Sequence, residues 1–104
     1  QEQASRVYMK EEIVDYAVSL VGATRNHPLI LRGASPRATL SVTAMAKAVA
    51  YIQGRDYVVP KDVQAVFVNT VAHRLLMTPE AEAKGITPDS VLEQIQSTTT
   101  APRI

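Results

Sequence analysis

The sequence has no cysteine, no tryptophan and one phenylalanine in 104 residues. Without cysteine there is no disulfide scaffold, no thiolate zinc site and no thiol nucleophile. No apolar run approaches the ~18 residues needed to cross a bilayer. Gln1-Glu2-Gln3 offers neither the basic start nor the apolar core of a signal peptide. Glycine is sparse, and Gly22, Gly33, Gly54 and Gly85 cannot be arranged into G-x-x-x-x-G-K-[ST] or G-x-G-x-x-G. No Asp-Glu pair follows an apolar strand to hold magnesium, and no nucleophile elbow surrounds a serine. His27 and His73 lack ligand spacing, so no metal site is expected. Catalysis by this chain alone is not expected. A reducing, cytoplasmic setting fits the missing cysteines. The chain also has no initiating methionine and reads as a piece excised from a longer protein.

What is present suits one domain spanning 1–104. Leu, Ile, Val and Phe supply 27 of the 104 residues, enough for a core and too many for disorder. The formal charge of +1 hides a pattern. Residues 25–61 carry Arg25, Arg32, Arg37, Lys47, Arg55 and Lys61 against Asp56 alone, a net +5, between flanks of −2 each.

Apolar spacing predicts helices. Ile13, Tyr16, Ala17, Leu20 and Val21 share one face of a helix over about 10–24, with Glu11, Glu12 and Asp15 at its positive end. A second helix runs from Pro36 to Gln53, with Ser35 as cap, Gly54 as stop and an apolar stripe of Val42, Met45, Ala46, Val49 and Ile52. A third starts at Pro60 and buries Val63, Val66, Phe67 and Val71, with Leu75 extending the face. Thr78-Pro79 opens a short turn ending near Gly85, and Thr87-Pro88 opens a helix that buries Val91, Leu92 and Ile95. Two extended pieces, Leu29–Leu31 and Tyr57–Val59, could pair as a tiny ribbon. The expected fold is mainly α: a small bundle of four main helices with a two-stranded ribbon, four tyrosines in its core, and frayed ends at 1–5 and 97–104.

The stretch Gly33-Ala34-Ser35-Pro36-Arg37-Ala38 places a cation where the helix dipole opposes it by up to ~1 kcal/mol. Free N–H groups at a helix start attract anions, and a guanidinium beside them suits phosphate oxygens. An arginine swung out into water would also satisfy these observations.

The string GASPRA at 33–38 resembles the sensor-2 motif of MoxR-type AAA+ ATPases. Tyr16-Ala17-Val18-Ser19-Leu20-Val21 followed by Thr24-Arg25 resembles the family's Y-x-x-x-L-V-x-x-T-R run. Gly54-Arg55-Asp56-Tyr57-Val58 with Pro60 and Asp62-Val63 resembles its G-R-x-Y-V-x-P-x-D-V run, and His73-Arg74-Leu75 its H-R-L. The resemblance covers roughly residues 6–96 in order. One departure is Val59, where the family often has a capping Thr or Ser.

The resemblance implies an AAA+ lid that follows an α/β nucleotide-binding core. It aligns Arg37 with the sensor-2 arginine, which assists hydrolysis by reaching the γ-phosphate of ATP, and it turns Ser35, Pro36 and Arg37 toward nucleotide. ATP with Mg2+ would be held by the core of the parent, with none expected on the fragment. The implied partners are that core, neighbouring subunits of a hexameric ring and a von Willebrand A domain protein, with no membrane. The implied parent is chaperone-like and matures or activates protein complexes. Arg25 and Arg74 remain open between a phosphate contact, a subunit interface and a structural role. Arg55 and Asp56 read as a turn salt bridge, and Tyr57 as core. The alternative is a basic nucleic-acid-binding module, disfavoured because the cations are spread over several elements.

Overall fold

Acidic residues at the positive end and a continuous apolar face produce the first helix where the spacing places it. In the computed structural model, which describes residues 6–103, α1 spans Glu11–Ala23 and buries Ile13, Tyr16, Ala17, Leu20 and Val21. A 3-10 turn, Thr24–Asn26, tightens its end. After strand β1, Ile30–Arg32, come α2 (Arg37–Ile52) and α3 (Pro60–Val71). A second 3-10 turn, Ala72–Arg74, leads into strand β2, Leu76–Met77, then α4 (Pro79–Ala83) and α5 (Pro88–Thr98). The expected frayed start, 1–5, lies outside the described residues. At the other end α5 takes in Ser97 and Thr98, and Ala101 packs against the core, within the segment read as frayed.

The helix ends are chemical. Thr78 and Thr87 accept from the N–H groups of Ala81 and Ser90, each ahead of a proline. Gly54, at φ 80°, lets the Gly54 and Arg55 N–H groups turn back onto the carbonyls of Tyr51 and Ala50 and close α2. The same pair of bonds closes α4 through Gly85 and Ile86. Ser35, however, does not cap α2 with its side chain. Its carbonyl accepts from Ala38, and the carbonyl of Pro36 from Thr39.

α2 and α3 form the most extensive helix pair. The buried face of α2 is Ala38, Val42, Ala46 and Ala50, rotated from the expected stripe. Small side chains on a buried helix face permit close approach of a neighbouring helix. Met45 and Ile52 are displaced onto the open side, Ile52 to 81% exposure. Phe67 is fully buried. Tyr16 is the one buried tyrosine among the described residues, and its hydroxyl accepts from Gln64 at 3.1 Å. Tyr8, Tyr51 and Tyr57 are exposed, so the core is aliphatic, not tyrosine-filled, and Tyr57 is not part of it. Leu75 sits beyond α3, after the 3-10 turn, where it packs against the core.

A ribbon forms, but with other partners. β1 pairs antiparallel with β2, Ile30 opposite Met77 and Arg32 opposite Leu76, across an irregular register. Tyr57 instead bridges Tyr8 in parallel, with Tyr8 N–H on the Asp56 carbonyl and Val58 N–H on the Tyr8 carbonyl. α3 carries the chain back past β1, so Leu76-Met77 reaches that edge first.

Val59 cannot cap α3 with its side chain, and Asp62 supplies the other half of the cap by accepting from the Val59 N–H at 2.9 Å. Arg55 binds the same carboxylate with both Nη1 and Nη2, each at 2.7 Å, and also donates to the Tyr57 carbonyl and to Gln53. The partner of Arg55 is thus Asp62, across the loop, and not its neighbour Asp56. Burial pushes the Asp62 carboxyl up, but the hydrogen bonds from Arg55 and Val59 outweigh it and hold it below the ordinary value. A carboxyl lowered by folding adds stability above its unfolded pKa and loses it as pH falls through the folded value. Asp62→Ala is expected to cost about 2–3 kcal/mol near neutrality in urea unfolding. That difference should shrink as pH falls below the ordinary carboxylate range and through the lowered folded value. A difference that stays constant down to acid pH would contradict the role of the ionised pair.

Candidate functional site

Three of the arginines singled out from the sequence attach to the segment 34–41 that opens α2: Arg37 lies in it, and Arg25 and Arg74 hydrogen-bond to it. Arg37 opens the helix, and its side chain is exposed, as are Ser35 and Pro36 before it. Arg25, at the end of the 3-10 turn after α1, donates from Nη1 to the carbonyl of Ala34 at 2.8 Å. Arg74, from the turn after α3, donates from Nη2 to the Ser41 hydroxyl at 3.2 Å. Ser41 lies four residues after Arg37, one turn along the same face. Among the described residues no ion pair engages Arg25, Arg37 or Arg74. A guanidinium without local counter-charge favours an anion with several oxygens.

The helix contributes less than the sequence suggests. The Ala38 and Thr39 N–H groups are already taken by the carbonyls of Ser35 and Pro36. The anion-binding capacity of this end therefore rests mainly on side chains. The remaining cations of the basic middle sit elsewhere: Arg32 on β1, Lys47 on α2, Lys61 on α3 and Arg55 against Asp62. They do not form one recognition face.

What holds the site is the loop before it. Thr24 is fully buried, and its hydroxyl donates to the Val21 carbonyl at 2.6 Å and accepts from the Ala34 N–H at 3.0 Å. Gly33 lies against the backbone of Thr24 and Arg25. A Cβ at position 33 would stand 2.7 Å from the Arg25 nitrogen and nearer still to the Thr24 carbonyl. The Thr24-Arg25 and GASPRA pieces, separated in the chain, are thus two sides of one joint.

A groove of about 460 Å³ runs beside the next turns of α2, lined by Val7, Tyr8, Met9, Thr39, Leu40 and Thr43 among others. No group of three or more His, Cys, Asp or Glu side chains that could hold a metal occurs among the described residues. No helix among them is long and apolar enough to cross a membrane.

The family model of the AAA lid domain matches residues 22–95, which take in the whole joint, Arg37 and Arg74. The chain belongs to the AAA lid domain family. The lid is 36% identical to Chaperone MoxR1 of Mycobacterium tuberculosis, with all of this chain and 30% of that protein aligned. It is 34% identical to YeaC of Bacillus subtilis over 98% of this chain and 32% of that protein. A crystal structure of a proposed ATPase from Cytophaga hutchinsonii superposes with a TM-score of 0.92 at 32% identity, over 98% of this chain and 34% of that one. The lid thus spans about a third of the length of these relatives and is of the MoxR type.

Thr24, Ser41 and Asp62 were not singled out for roles in the sequence, although Asp62 stands at the N3 position of a proline-started helix, a capping-box signal. The tightness at Gly33 makes a direct prediction. Gly33→Ala is expected to destabilise the lid by about 1–3 kcal/mol, read as a lowered thermal midpoint. An unchanged midpoint would mean that the joint is looser than described.

Proposed function

We propose that this chain is the nucleotide-responsive lid of a MoxR-type AAA+ ATPase. Arg37 is its sensor-2 arginine and reaches the γ-phosphate of ATP held by a core domain elsewhere in the same protein. The observation that carries this reading is the placement of Arg37. It stands exposed in the GASPRA stretch at the start of α2, without an acidic partner among the described residues. Ser35 and Pro36, exposed just before it, face the nucleotide with it. Arg74, bound to Ser41 one turn along α2, adds positive charge on the same helix. A guanidinium aimed at the transferring phosphoryl group stabilises charge that grows in the transition state, and its engagement reports ATP against ADP to the lid. ATP and its Mg2+ are held by the core. The lid alone, without the core, binds ATP weakly.

The aligned relatives extend well beyond the lid, and one is named a chaperone. We therefore read the parent as a chaperone-like ATPase of the cytoplasm that assembles as a hexameric ring and matures or activates protein complexes with a von Willebrand A domain protein. The exposed Leu40, Met45 and Ile52 on α2 supply apolar surface for the core or a neighbouring subunit.

In the full-length protein, Arg37→Ala is expected to lower ATP turnover by about 100-fold or more. Its thermal midpoint should stay close to that of the unaltered protein, because an exposed side chain is removed. Steady-state hydrolysis and a melting curve test this together. Unchanged turnover would overturn the sensor assignment.

A further inference from the structure

The helix that carries Arg37 does not need the joint in front of it in order to form. Its first donors are satisfied by Ser35 and Pro36, and its buried face is satisfied by α3. Yet both backbone groups of Ala34 are held by consecutive side chains from the end of α1. The Thr24 hydroxyl takes its N–H and the Arg25 guanidinium takes its carbonyl. Ala34 itself is 1% exposed, and Gly33 is pressed against Thr24 too closely for any side chain. Thr24 is wholly buried, and its hydroxyl is used twice, as donor and as acceptor. A buried hydroxyl satisfied in both directions has one orientation, so it fixes the group it holds. Arg37 follows Ala34 by three residues.

We propose that Thr24 and Arg25 are positioning residues for Arg37. Acting through Ala34, they fix the entry of α2 relative to α1, so that the guanidinium is aimed before ATP arrives. The inference rests on the reading of Arg37 as a phosphate-sensing group. It also assigns Arg25 to the second layer: its Nη1 is spent on the Ala34 carbonyl, and its effect reaches phosphate through Arg37. Preorganised donors stabilise a transition state most when nothing must move during reaction, and a shift of about 1 Å can cost about 100-fold in rate.

The test uses the full-length protein with Thr24→Val, Thr24→Ser, Arg25→Met and Arg37→Ala, and the double variants Thr24→Val/Arg37→Ala and Arg25→Met/Arg37→Ala. ATP hydrolysis is measured at a temperature where circular dichroism shows each variant folded. Thr24→Val is expected to lower kcat by roughly 10- to 100-fold, with KM for ATP changed much less. Thr24→Ser, which keeps the hydroxyl, should restore most of kcat. In the Arg37→Ala background Thr24→Val should add almost nothing, because the group it positions is gone. Arg25→Met, at the exposed rim, tests the same joint if Thr24→Val does not fold, and its smaller kcat loss should also vanish in the Arg37→Ala background. A kcat loss of equal factor with and without Arg37 would overturn the proposal, as would a lowered melting temperature with kcat unchanged. Normal turnover of Arg37→Ala alone would show that the sensor reading itself fails.

Discussion

Where the backbone of Gly33 meets the carbonyl of Thr24, two chain segments approach until no side chain fits between them. The buried Thr24 hydroxyl then bonds the Ala34 N–H and so finishes the contact. This constraint sets the direction in which α2 leaves α1. Beyond it, α2 packs most extensively on α3, and Leu76-Met77 pairs with β1.

Electrostatics divide the molecule in the same way. The basic middle of the sequence is not a uniform positive surface. Arg55 is consumed by Asp62 and serves to lock the Gly54–Pro60 loop onto α3. Arg25, Arg37 and Arg74 keep their charge uncompensated by acidic side chains among the described residues. The formal charge of +1 conceals both.

Much of this was legible in the residues. Periodicity and proline-started caps give every main helix, because those signals act within one or two turns. Hydrophobicity puts Met45 and Ile52 in the stripe of α2, whereas the fold buries Ala38, Val42, Ala46 and Ala50 and turns Met45 and Ile52 outward. β-propensity allows Leu29-Ile30-Leu31 to pair with Tyr57-Val58-Val59, whereas β1 pairs with Leu76-Met77, a tertiary choice that local sequence does not encode. Ser35 has the chemistry of a cap, yet a tight local turn satisfies the helix from backbone carbonyls. Nor could spacing reveal that Arg55 reaches seven residues on to Asp62, or that Thr24 is buried beneath Ala34.

The central claim is that a guanidinium from this lid completes a nucleotide site built elsewhere in the protein. The most direct measurement is a structure of the full-length protein with ADP and a phosphoryl-transfer analogue such as aluminium fluoride. The account predicts the Arg37 guanidinium within about 3 Å of the analogue's outer ligands, with the Ala34 backbone still held by Thr24 and Arg25. A well-ordered analogue with Arg37 turned to solvent would contradict it.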